Sequence, residues 1–145
     1  MALATTKGFS IFAIYPQFKP QIIRAIEGGI QQLQMVKTSN IVILVPTGQN
    51  SEYPKEQVIV WDDKLQLLVF KVDFHEEIRA LNYSNNLYFV VKTEAVMCMK
   101  LNNKPLKEIE TCSNKRGLNA VAHECDNGKS GETRFCIATP STTSG

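Results

Sequence analysis

Apolar residues in this chain come in short β-branched or aromatic runs interrupted by turn residues, the pattern of strands. The runs are Gly8 to Ile14, Leu33 to Lys37, Ile41 to Val45, Val58 to Trp61, Gln66 to Val72, Ile78 to Tyr83, Leu87 to Val91, Val96 to Leu101, Leu106 to Thr111, Leu118 to Ala122 and Phe135 to Ala138. The best helical candidate is Pro20 to Ile30. There Ile22, Ile23 and Ile26 fall near one face before Gly28-Gly29 ends the pattern.

Two stretches share one layout. Ile30 to Lys37 precedes a turn at Thr38-Ser39-Asn40, then Ile41 to Val45, a polar loop, Gln57 to Asp63 and a closing strand from Leu65 to Val72. Glu77 to Tyr83 precedes a turn at Ser84-Asn85-Asn86, then Leu87 to Val91, a turn at Lys92-Thr93-Glu94, Ala95 to Leu101 and a closing strand from Lys104 to Thr111. A third copy opens at Gly117 to Val121 and continues at Arg134 to Ala138. Ile41 aligns with Leu87, a period of about 46 residues, close to the roughly 40–45 of a four-stranded propeller blade. A small twisted sheet cannot cover both of its faces, so such units bury them against each other. An antiparallel sandwich also strings short strands together, but the repeated strand–turn–strand–loop–strand–turn–strand order favours blades.

The expected fold is therefore all-β, a partial propeller of about two and a half blades of four-stranded antiparallel sheets. Residues 1–29 read as the end of a first blade and a linker, 30–73 as a second blade, 74–113 as a third and 114–145 as the start of a fourth. The chain opens inside what reads as a final strand pair, Ala2 to Thr5 and Gly8 to Ile14. It stops after Pro140, where a turn should lead to another strand. A closed propeller needs at least about four blades, so the chain reads as a piece of a longer array.

Composition narrows function. The chain has 145 residues, 43% of them hydrophobic and 21% charged, with a net charge of +2. That charge is too small to imply nucleic acid or an anionic membrane through the overall field. No run approaches the roughly 18 apolar residues of a membrane span, and the N-terminal residues do not form a secretory signal. Cys98, Cys112, Cys125 and Cys136 include no close pair. This argues against a zinc ribbon or a dense disulfide scaffold, and for reduced thiols in the cytosol.

Trp61-Asp62-Asp63 ends a strand, where an indole can fill the space between blades and carboxylates can accept turn amides. Val58 to Asp63 followed by Ile78-Arg79-Ala80-Leu81 resembles the second-to-third-blade passage of the PROPPIN family of autophagy propellers. Ile109-Glu110-Thr111, the polar Cys112 to Arg116 and Gly117-Leu118 are similar to that family's segment leading into the next blade. Gly8 to Phe12 resembles the close of its first blade, and Glu27-Gly28-Gly29-Ile30 the step into the second.

The resemblance implies a seven-bladed WD-repeat propeller that is not an enzyme and takes no cofactor. It implies binding to phosphatidylinositol 3-phosphate and 3,5-bisphosphate, and a cytoplasmic protein peripheral on autophagosomal or endolysosomal membranes. The family's paired arginines lie in later blades, and this sequence has no Arg-Arg. A planar guanidinium fork suits phosphate, so this stretch is expected to bind the headgroup weakly or not at all. The resemblance also implies that the loop Pro46 to Glu56 helps dock a large lipid-transfer protein. Tyr53, Pro54 and Lys55 would form a stiff, chemically mixed contact there.

Other constellations point elsewhere. A generic WD-repeat adaptor binding only proteins is one alternative. A small hydrolase using His123 and Cys125 is another, but residues two apart on a strand share a face without reactive geometry. His75-Glu76-Glu77 lacks the H-E-x-x-H spacing of a metal site, and Gly128-Lys129-Ser130 lacks the upstream glycine of a phosphate loop. Asn127 to Thr133 reads as a polar hairpin loop, and Lys115-Arg116 as a basic surface turn.

Overall fold

The computed structural model describes residues 1–37, 39–49, 52–124 and 134–142. Every regular element among them is a strand. They are β1 (Ala2–Thr5), β2 (Gly8–Ala13), β3 (Lys19–Ala25), β4 (Ile30–Met35), β5 (Ile41–Pro46), β6 (Gln57–Asp62), β7 (Leu67–Asp73), β8 (Ala80–Ser84), β9 (Leu87–Val91), β10 (Ala95–Lys100), β11 (Pro105–Glu110), β12 (Ala120–Glu124) and β13 (Arg134–Ala138). All neighbouring strands pair antiparallel, in the orders β1-β2-β3, β4-β5-β6-β7, β8-β9-β10-β11 and β12-β13. Contacts divide the chain into two compact units, Met1–Ile78 and Arg79–Gly145.

In the first unit, the helical candidate at Pro20 to Ile30 is overturned. Its first part is β3, the third strand of a sheet expected to show only a pair. Ile22 and Arg24 are half-buried while Ile23 between them is 66% exposed, a period of two that only a strand supports. Pro20, which has no N–H to give, falls beside a register shift between Ile11 and Phe12. Phe9, Ile11, Ile30, Val42, Leu44 and Ile59 form the core joining this sheet to the next, with Ile22, Leu33, Trp61 and Leu68 packed around them. Ile43 and Val45 point to the other face of β5 and are buried as well, so this strand reads as a continuous apolar run.

The step between the two sheets is made at Gly29. Its φ is +74°, and a Cβ there would lie 2.5 Å from the Thr6 carbonyl oxygen. Only glycine permits both the left-handed backbone and that approach. Beside it β1 lies next to β4.

The second unit repeats the device. Gly117 has φ +66°, and an added Cβ would lie 2.8 Å from the Arg79 carbonyl oxygen. Leu87, Phe89, Val91, Val96 and Cys98 form this unit's core, with Phe135 and Ile137 of β13 against it. The Phe89 and Phe135 rings are 5.9 Å apart and tilted by 55°, a favourable aromatic arrangement.

Candidate partner-docking site

The loop carrying Tyr53, Pro54 and Lys55 joins β5 to β6, the middle strands of the four-stranded sheet in the first unit. It is held at several points. The Thr47 hydroxyl donates to the Gly28 carbonyl, and the Thr47 amide donates to the Gly29 carbonyl at 3.3 Å. The Gln57 amide donates to the Pro54 carbonyl at 3.1 Å, and the Phe74 and Ile78 amides donate to the Glu56 and Lys55 carbonyls. Lys55 Nζ lies 3.4 Å from Glu77 Oε2. These bonds satisfy backbone groups that a solvated loop would leave to water.

The three residues do not form one exposed cluster. All are half-buried, and Tyr53 turns inward to pack on the core of the first unit. Burial raises its phenol above the ordinary value, and the neighbouring Glu52 carboxylate adds to the rise. Tyr53 forms part of the wall of a cavity of about 270 Å³. Ile59, Trp61 and Leu68 supply its apolar lining, and Glu27 and Glu52 its acidic groups. That volume falls just below the roughly 300–1,000 Å³ usual for small-molecule sites. It suits one or two buried side chains of a partner.

Trp61 fills the space between the first two sheets as its position on β6 suggests, and its indole N–H is buried without a hydrogen-bond partner among the described residues. The two following carboxylates divide their work. Asp62 accepts the Leu65 amide at 2.9 Å and the Asn40 side-chain amide. Those bonds, the Leu65 N–H first, hold it below the usual carboxylate value. Asp63 is buried and accepts two bonds from Arg24, Nε at 2.7 Å and Nη2 at 3.0 Å. Sequence reading missed this fork, because Arg24 lay in the stretch read as helical, 39 residues away.

In the second unit, the segment from Glu110 to Leu118 is built on Asn114. This buried side chain accepts the Leu118 amide at 2.8 Å and donates to the Leu118 carbonyl at 2.9 Å, as a neighbouring strand would. Lys115 and Arg116 are exposed, and with Ser113, Leu118 and Pro140 they border a cavity of about 390 Å³. A second cavity of about 520 Å³ lies between Leu106 and Ile109 of β11 and Phe135 and Ile137 of β13.

Of the remaining candidates, His75 is exposed and lies 3.3 Å from Asp73 through Nδ1. Among the described residues, no three His, Cys, Asp or Glu side chains are grouped to hold a metal. Cys98 is buried and free, its thiol raised by burial, while Cys112 and Cys136 are free and exposed. Cys125, the His123 side chain and Asn127 to Thr133, with Gly128-Lys129-Ser130, lie outside the described residues.

Antiparallel four-stranded sheets in succession, with left-handed glycines at the steps into β4 and β12, define part of a β-propeller. Solved propellers agree. Kluyveromyces lactis Hsv2 matches with a TM-score of 0.64 and 20% identity, over 76% of this chain and 33% of that one. KlAtg21, solved in complex with the coiled-coil of AgAtg16, matches with a TM-score of 0.67 and 14% identity, over 97% of this chain and 43% of that one. Among curated proteins, autophagy-related protein 18e of Arabidopsis thaliana is 33% identical over 124 residues, 83% of this chain and 33% of its own length. No family model matches the chain. Its homologues are PROPPIN propellers, and the chain spans about a third of the length of the curated relatives it matches.

Proposed function

We propose that this chain is the partner-docking part of a non-enzymatic autophagy scaffold. The complete protein binds phosphatidylinositol 3-phosphate or 3,5-bisphosphate and sits on autophagosomal or endolysosomal membranes, cytoplasmic when released. A lipid-transfer protein docks at the β5–β6 loop. The observation that carries this reading is the Tyr53 cavity, apolar inside and bordered by Glu27 and Glu52. Such a site takes an apolar anchor side chain flanked by a basic one, the arrangement that concentrates binding energy at protein interfaces. The similarity to autophagy-related protein 18e supports the autophagy setting. The lack of an Arg-Arg pair supports placing headgroup recognition outside these residues.

The test has two arms. Purified lipid-transfer partner is titrated against the parent chain and a Glu52→Lys/Tyr53→Ala variant, with expected weakening of about tenfold or more. Unchanged affinity removes the cavity from the docking site. In flotation, an extended protein carrying an arginine pair should prefer 3-phosphorylated lipid over phosphatidylinositol, and this chain should show no such preference. A preference by this chain alone defeats the lipid assignment. An extended protein without one leaves a protein-only adaptor.

A further inference from the structure

Ile14, Tyr15 and Phe18 occupy the turn between β2 and β3 and are 68%, 89% and 62% exposed. Globular surfaces scatter single apolar residues, but three large ones on a projecting turn are a patch that needs a reason. The turn has a built shape, because the Phe18 ring stacks on Phe12 at 5.0 Å with planes within 3°. Phe18 is therefore pre-ordered while its outer surface remains in water.

The surroundings are basic. The first acidic residue in the sequence is Glu27, so the stretch forming β1 to β3 carries only cations, with Lys19 at the base of the turn. The second sheet extends this surface. Because β1 lies beside β4 with Thr6 against Gly29, the ends bearing the β2–β3 and β6–β7 turns face the same way. The β6–β7 turn presents Leu65, 63% exposed, and the exposed Lys64. Carboxylates near that turn are engaged. Asp62 accepts Leu65 and Asn40, and Asp63 is forked by Arg24.

We propose that this end of the first unit docks on an anionic phospholipid bilayer, with Ile14, Tyr15 and Phe18 entering the interface and Lys19 and Lys64 over the headgroups. A convex, aromatic tip with adjacent lysines matches the layered chemistry of a bilayer surface, where aromatic rings favour the headgroup level and cations meet negative lipid. A protein groove would have to be shaped to receive it. The contact reads bulk negative charge and needs no 3-phosphate. It stands apart from both the Tyr53 cavity and the arginine-pair site.

The test is co-sedimentation of the chain with phosphatidylcholine vesicles, with and without phosphatidylserine. Binding is expected only when phosphatidylserine is present. Ile14→Ser/Tyr15→Ser/Phe18→Ser should weaken it about tenfold or more, and Lys19→Glu or Lys64→Glu about fivefold each. All the substituted residues are exposed, and circular dichroism should show the variants folded. In a Tyr15→Trp variant, emission should shift to the blue on vesicle addition and be quenched by brominated acyl chains. Equal binding by the triple variant overturns the proposal, as does equal binding to neutral vesicles. So does a tip variant that keeps vesicle binding but loses a partner protein, which would make the tip a protein contact.

Discussion

Arg24→Ala should destabilise the first unit far more than an exposed ion pair would suggest. The guanidinium side chain is 28% exposed and the Asp63 carboxylate 9%, with contacts at 2.7 and 3.0 Å. Exposed pairs contribute at most about 1 kcal/mol. Removing one partner of a buried pair costs about 3–5 kcal/mol, because a charge is left without compensation. Water reaches Arg24 partly, which scales the expected loss to about 2–3 kcal/mol. Replacing both with Arg24→Met/Asp63→Leu removes the stranded charge and should return stability to within about 1 kcal/mol of the parent. The assay is urea unfolding followed by the fluorescence of Trp61, the only tryptophan, which packs on the same core two residues from Asp63. A loss below about 1 kcal/mol for Arg24→Ala, or a double variant as unstable as the sum of the singles, would refute this reasoning.

Gly117→Ala should cost about 2–4 kcal/mol in the second unit, since a left-handed residue gains a Cβ pressed against the Arg79 carbonyl. Thermal unfolding by circular dichroism reads this directly, and a change under about 1 kcal/mol would count against the close approach. Tyr88 is fully buried, its hydroxyl has no partner among the described residues, and burial pushes its phenol up to about 12. The native state thus holds this proton more tightly than the unfolded chain does. Its contribution is complete below about pH 10 and is lost as pH rises towards 12, up to about 3 kcal/mol in all. Tyr88→Phe should match or exceed the parent at neutral pH and flatten that alkaline loss in a pH series of urea midpoints.

Strands whose two faces are both buried announced themselves most clearly. Ile41 to Val45 and Leu87 to Val91 are β-branched and aromatic with short turns around them, and both lie within a residue of the observed strands. β3 was misread because Ile22, Ile23 and Ile26 satisfy a helical period, while Ile22 and Ile26 alone also fit an alternating one. Only the sheet edge available on β2 decides between them. The roles of Tyr53 and Asn114 were hidden for a different reason. A loop residue's direction depends on bonds to distant backbone, here Gly28, Phe74 and Ile78 for the Tyr53 loop, and local composition carries no trace of them. The Arg24–Asp63 fork likewise joins β3 to the turn after β6, which neither spacing nor periodicity brings together.

At Gly29 and Gly117 main chain touches main chain, so the distance from sheet to sheet is gauged by peptide units, which never mutate. Side chains between the sheets can drift in size and identity while that gauge stays fixed. An insertion between Thr6 and Gly29 should therefore disturb the assembly more than many exchanges of one apolar residue for another.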